Sequence, residues 1–319
     1  MKTRILFILL QLAVLAACLF YLFTDVDWPS LAETFSHYSP LKALAVLATT
    51  LPIYVLMGLR LSQLSEGRIT TALGMLGTLL AVAVNNVLPA KLGEFAKAVY
   101  FKRKSVLGFS QSMGIIFLER FLDVNILALT GLVAAVVFGL GLYGLPLTLA
   151  VLLCWAVLIL MARRIPPQGL EPARIPSERL RRSVRQGTAA IRQAMQGRTM
   201  LRPLGSTVLL WFCNFAYLGL IPIWLMGMDL TPAQVLGIYG AVYLGLTIPG
   251  LPGGIGMTEG AMVAILAYSG MAKTDALAIA LTVRAYNFIP PTLMGLLVFA
   301  TSGMKASTLT HANEETQDS

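Results

Sequence analysis

Apolar residues along this chain come in blocks of about twenty, the length that crosses a bilayer as a helix, with polar residues gathered between the blocks. Residues 1–23 start with Lys2 and Arg4 and then run apolar to Phe23. Leu15-Ala16-Ala17-Cys18 resembles a lipoprotein cleavage box, but the next five residues stay apolar where a cleaved signal turns polar, so this block reads as an uncleaved first span. Further blocks at Leu41–Leu59, Phe109–Leu140, Leu145–Met161, Leu204–Met226 and Ala276–Thr301 predict five more spans.

Two apolar stretches are interrupted instead of continuous. The first, residues 71–100, breaks at Asn85-Asn86-Val87-Leu88-Pro89-Ala90-Lys91-Leu92-Gly93-Glu94. The second, residues 232–271, breaks at Pro249-Gly250-Leu251-Pro252-Gly253-Gly254-Ile255-Gly256. Proline removes a backbone donor and glycine admits unusual dihedrals. Broken backbone at membrane depth persists only where protein or a watery cavity covers it. Each stretch reads as a re-entrant helical hairpin with the break at its tip.

Composition sharpens this picture. Of 319 residues, 57% are hydrophobic and 12% charged, and the mean hydropathy is +0.76, against roughly 25% charge in a soluble domain. The fold class expected is all-α: a polytopic membrane protein of about six transmembrane helices plus two opposed re-entrant hairpins, in halves that resemble an inverted repeat. The net charge of +9 does not point to nucleic acid, because the basic residues collect on segments that share one side of the membrane. Lys2, Arg4, Arg60, Arg68, Lys102-Arg103-Lys104, residues 163–202 and Lys305 place both termini in the cytoplasm. Asp25, Asp27 and Glu33 suit an outer segment at 25–40. Cys18, Cys154 and Cys213 lie in apolar segments without metal-type spacing, and His37 and His311 lie far apart in flanking segments. The expectation is therefore reduced core thiols, no metal and no cofactor.

The units expected are residues 1–162, a first membrane half holding the 71–100 hairpin; 163–203, a linker; 204–302, a second half holding the 232–271 hairpin; and 303–319, a short polar tail. Residues 163–202 carry ten arginines against Glu171 and Glu178. From Ser177 onward, Leu180, Val184, Ile191 and Met195 fall near one stripe, which predicts a basic amphipathic helix lying on anionic lipid. Gly187 weakens that helix; the plain alternative is a solvated linker.

Candidate chemistry sits at and after the breaks. L-P-x-x-apolar-G recurs at Leu88–Gly93 and Leu251–Gly256, followed by Glu94 and Glu259 and, about thirty residues after each proline, by Glu119-Arg120 and Arg284. Interrupted segments at matching places in two halves point to a transporter's site. Charge near the bilayer centre costs roughly 2.5–3.5 kcal/mol on insertion scales, so Glu119, Arg120 and Asp123 need partners or a cavity. Arg120 can reach Asp123 three residues on. These charges either wall a headgroup path or neutralise one another as a brace. Arg284 with Asn287 one turn on is suited to phosphate, or else it bridges to Glu259 or Glu119. The Pro-Gly run can aim amides at an anion or simply turn tightly. Lys91 and Lys97 flank Glu94, and both are open to interfacial snorkelling.

These motifs resemble a known family. N-x-x-L-P-x-[RK]-x-G-E (Asn85, Leu88, Pro89, Lys91, Gly93, Glu94), apolar-E-R-x-x-D (Glu119, Arg120, Asp123) and P-G-G-x-G-x-x-E (Pro252, Gly253, Gly254, Gly256, Glu259) resemble the lysylphosphatidylglycerol synthase transmembrane region, a flippase-like inner-membrane family. Lys91 and Thr258 stand where the family commonly has arginine. The resemblance implies translocation of an anionic or aminoacylated phospholipid, or of a polyprenyl-linked or hopanoid lipid, across a bacterial inner membrane. Of the matched residues, Asn85, Pro89, Lys91, Glu94, Glu119, Arg120, Asp123, Pro252, Gly253, Gly254, Gly256 and Glu259 are candidate substrate contacts; the reading of the breaks and of the last span adds Asn86, Arg284 and Asn287. The chain ends about fifteen residues after its last span, leaving no room for a synthase domain, so transport without enzymatic activity is expected. The alternative is a non-transporting accessory subunit of a lipid-modifying or glycosyltransferase system. A homo-oligomer or a partner enzyme is compatible with either.

Overall fold

The computed structural model describes residues 20–24, 26–36, 38–88, 92–137, 139, 141–166, 168–170, 177–195, 200–247 and 252–304. Most of the expected first span, Cys18, His37, Pro89, Lys91, Pro249 to Leu251 and the tail with His311 lie outside them. The described residues are helical with no strand among them. They form α1 (Trp28–Ser36), α2 (Pro40–Ala48), α3 (Thr50–Leu64), α4 (Thr71–Val87), α5 (Gly93–Arg103), α6 (Phe109–Val137), α7 (Gly141–Arg164), α8 (Glu178–Ala194), α9 (Leu201–Leu220), α10 (Pro232–Thr247), α11 (Met257–Tyr268) and α12 (Lys273–Thr301). A π turn, Ile221–Leu225, extends α9, and a 3-10 turn, Pro252–Gly254, precedes α11.

Three stretches are long and apolar enough to span: Pro40–Leu64, where α2 and α3 run on through Thr49, Leu201–Leu225, and Lys273–Thr301. At 29 and 24 residues, α6 and α7 have the length as well. This is a polytopic membrane protein.

Glycines let these helices approach to backbone contact. A Cβ on Gly58 of α3 would sit 2.2 Å from the Thr71 carbonyl of α4, and one on Gly295 of α12 would sit 2.1 Å from the Leu79 carbonyl. So α4 is wedged between α3 and α12, with small residues at both crossings, as lipid-embedded helices require when no hydrophobic effect drives them together.

Two helical hairpins flank α12. In the first, α4 and α5 run antiparallel: Gly77 faces Phe101 and Ala81 faces Gly93. In the second, α10 and α11 run antiparallel: Gly237 faces Ile265, and Gln234 donates to Ser269 (3.2 Å) near the open end. Arg103, at the base of the first hairpin, donates to the carbonyl of Gly303 just past the C-terminal end of α12 (2.6 Å). The base of the second ends at Tyr268, five residues before α12 begins. The bases therefore lie toward opposite ends of α12, and both tips reach its middle.

One element differs from its sequence pattern. The apolar stripe of α8 is not left to lipid along its whole length: Ala190 and Ala194 are buried, and Ile191 and Met195 pack on the core beneath α6. The reason is Gly187. A Cβ on Gly114 of α6 would meet the Gly187 carbonyl at 2.5 Å, so the glycine that looks like a helix weakness is the contact that docks the helix. Gln193 donates to Glu66 (2.6 Å), Arg68 donates to Gln193 (3.2 Å), and Arg192 donates to the Ile165 carbonyl. Leu180 remains exposed. Cys154 is also exposed, not a core thiol, because it faces outward on α7.

Candidate functional site

The first tip is held by a network of charges from three helices. Arg60 of α3 is 1% exposed and donates to Asp123 (2.5 Å) and Glu119 (3.0 Å) of α6. Lys97 of α5 is equally buried and donates to the other Glu119 oxygen at 2.8 Å. Arg120 lies within ion-pair distance of Glu119 (3.2 Å), Asp123 (3.4 Å) and Glu94 (4.0 Å). Trp211 of α9 donates its indole N–H to Asp123 at 3.0 Å. Three cations thus meet three carboxylates, and the network is formally neutral. Neutrality is what a low-dielectric interior demands of buried charge. Only its edge opens outward, at Arg120 (47% exposed) and Glu94 (29%).

Two of these residues escape sequence reasoning. Arg60 looks like the charge that ends a span, and Lys97 looks like a snorkelling lysine. Instead, the apolar pattern continues past Arg60 through Leu61 and Leu64, both buried, and that continuation is the signal. Lys97 lies one turn after Gly93 and points into the hairpin, where its stem packs 3.5 Å from a Cβ built on Gly77.

The second tip is simpler. Glu259, in the first turn of α11, accepts from the Gly256 N–H and the Thr258 hydroxyl, both at 2.9 Å. Its other oxygen pairs with Arg284 Nε at 3.1 Å. Arg284 also donates to the Gly253 carbonyl at 2.7 Å, and its guanidinium carbon lies 4.6 Å from the Phe288 ring centroid. Gly253, Gly254 and Gly256 have φ of 64°, 69° and 82°, a left-handed run that side chains resist. It folds the Pro252–Gly254 turn back onto Arg284. The Gly256 amide, a candidate anion donor in the sequence, is already taken by Glu259. Among the described residues, the buried Arg284 Nη2 atom has no hydrogen-bond partner. It lies 3.0 Å from the position of a Cβ on Gly253, and the Asn86 side-chain oxygen Oδ1 lies 3.4 Å from that same position.

The tips meet through consecutive amides. Asn85 turns inward to the first network: its oxygen accepts from the Gly93 N–H at 2.7 Å and its nitrogen donates to Glu94 at 3.4 Å. Asn86 turns to the second, donating to Thr292 of α12 at 2.7 Å beside Gly253. Pro290 and Pro291 lie inside α12 between Arg284 and Thr292, and each removes a backbone donor where the tips touch. Asn287 donates to its own helix, to the Val283 carbonyl at 2.9 Å. Pro252 opens the 3-10 turn. The structure therefore gathers Asn85, Glu94, Glu119, Arg120 and Asp123 on one side, and Asn86, Gly253, Gly254, Gly256, Glu259 and Arg284 on the other.

Residues 8–295 match the family described as the lysylphosphatidylglycerol synthase TM region. No curated protein matches the chain.

Proposed function

We propose that this chain, which belongs to the lysylphosphatidylglycerol synthase TM-region family, is a lipid translocase moving an anionic or aminoacylated phospholipid, or a related lipid-linked substrate, across the inner membrane. The observation that carries this reading is the buried Arg284 N–H at the meeting point of the two tips, which has no partner among the described residues. A buried cationic donor without an acceptor is costly unless something supplies one, and a lipid phosphate is the acceptor this position suits. The hairpins are read as re-entrant from opposite leaflets, an inverted pair whose tips flank the midplane. Asn86 and Arg284 contact the headgroup, Arg120 and Glu94 form its polar edge, and Glu259 holds Arg284 in place. No bond of the lipid is made or broken in this scheme. Both termini and the α8 segment face the cytoplasm.

The second reading is a non-transporting accessory subunit. It is favoured by α8, a docked basic helix that leaves Leu180 and Arg182 outward for a partner. Leaflet exchange of fluorescent phosphatidylglycerol and lysylphosphatidylglycerol in proteoliposomes separates the two. Exchange above protein-free vesicles that is lost in Arg284→Ala supports translocation. No exchange with either lipid by folded protein favours the accessory role. Reporter fusions at Ser319 and near Glu33 check the orientation, and an external C-terminus would reverse it.

A further inference from the structure

Beside the first network runs an apolar groove of about 430 Å³, bounded by α6, α9 and α10. Its α6 wall is Ile126, Leu129, Thr130, Val133 and Val137. Ile126, Thr130, Val133 and Val137 continue the face of Asp123 at spacings of three, seven, ten and fourteen residues, with Leu129 beside them. From Ile126 to Val137 the wall is about 17 Å long at 1.5 Å per residue, close to half of the ~30 Å hydrocarbon core. Asp123 is the central residue of α6 (Phe109–Val137). With α6 centred on the bilayer, the groove begins at the midplane and runs through one leaflet, the one on the side of Pro232 where the second hairpin has its base. Its single α6 polar group, the Thr130 hydroxyl, donates to the Ile126 carbonyl (2.9 Å), so no α6 polar group is left open toward an occupant. At its inner end is Trp211, 8% exposed, with its ring in the groove and its N–H on Asp123.

We infer that this groove seats one hydrocarbon chain of a membrane lipid in that leaflet, with the chain end against Trp211. Three observations fix the occupant. The lining is apolar, the length matches one leaflet, and Leu129, Val133, Val208 and Phe212 are exposed along an opening between helices that stand in the bilayer. Trp211 connects the groove to the charged network: the same side chain that meets the chain end holds Asp123, which holds Arg60. The assignment of the chain to a transported lipid rests on the translocase reading; occupancy itself does not.

The experiment uses full-length protein with Trp211 as its sole tryptophan (Trp28→Phe, Trp155→Phe, Trp224→Phe), in vesicles of phosphatidylglycerol brominated at different chain depths. Trp211 emission is expected to fall most with bromine near the chain end. Val133→Phe, which narrows the groove, is expected to reduce that quenching more than twofold with an unchanged melting temperature. Absent quenching, or quenching untouched by Val133→Phe, overturns the inference and means that another segment, a second copy or nothing fills the groove. Leaflet exchange measured in the same vesicles keeps the failures apart. Exchange without quenching sinks the groove alone, and quenching without exchange sinks translocation alone.

Discussion

Both hairpin tips place interrupted backbone beside buried charge, but they neutralise that charge differently. At the first tip, Glu119 alone serves Arg60, Lys97 and Arg120, and Asp123 serves Arg60, Arg120 and Trp211. At the second tip, one carboxylate meets one guanidinium, and one guanidinium nitrogen has no partner among the described residues. A crowded network cannot release a partner without stranding two others. A single pair with a spare donor can accept a ligand and stay intact. On the translocase reading proposed above, the inner part of the first tip acts as a brace and the second tip as the receptor for the headgroup.

The largest expected effect tests the brace. Glu119→Ala leaves Arg60 and Lys97 buried without their shared acceptor, a loss of ~3–5 kcal/mol. The variant is expected to melt far below wild type in detergent or to fail to accumulate. A Glu119→Ala protein with wild-type melting and impaired exchange would reverse the roles assigned to the two tips.

Next comes the receptor. Arg284→Ala is expected to lower lipid exchange by more than about tenfold, ~1.4 kcal/mol in the barrier, with a smaller drop in melting temperature than Glu119→Ala. Glu259 keeps the Gly256 amide and the Thr258 hydroxyl in that variant. Arg284→Lys should recover only part of the exchange, since an ammonium lacks the fork that reaches Glu259 and the Gly253 carbonyl together. Equal exchange in wild type and Arg284→Ala would remove the receptor.

Gly253→Ala probes the turn that presents Arg284. Its φ of 64° and the Phe288 ring atom 2.7 Å from a new Cβ predict a cost of ~1–3 kcal/mol. Gly205→Ala, with open space around it, is the control. Unfolding curves that shift equally for both would deny the turn its special geometry.

The smallest effect separates the adjacent amides. Asn85→Ala and Asn86→Ala each remove hydrogen bonds worth about 1 kcal/mol. In double-mutant cycles Asn86 is expected to couple to Thr292 and Asn85 is not. Coupling of both, or of neither, would merge the two tips into one unit.

Much of this was legible in the chain. The breaks at Asn85–Glu94 and at Gly253–Gly256, and the charges at Glu119, Arg120, Asp123 and Arg284, stand out because they interrupt apolar runs. Arg60 did not, because a lone arginine near the end of an apolar block looks the same whether it reaches the interface or turns inward. Lys97 was equally ambiguous. The docking of α8 was hidden because Gly187 carries no pattern until Gly114 is beside it.

The sequence by itself determined that the protein lives in a membrane, where its helices are interrupted, and that its intramembrane charges need partners. Those properties follow from local composition against a solvent that cannot hydrate backbone or charge. Only the tertiary structure decided which partners they find. Arg60 and Glu119 lie 59 residues apart, and Asn86 and Thr292 lie 206 apart. Their meeting depends on how far each helix is rotated about its axis, and that rotation is set by glycine contacts such as Gly58 on Thr71 and Gly295 on Leu79. A one-residue turn of α4, about 100°, would bring one of Asn85 and Asn86 to the other's direction and carry the other away from both tips. No local pattern encodes that choice; close packing between distant segments does.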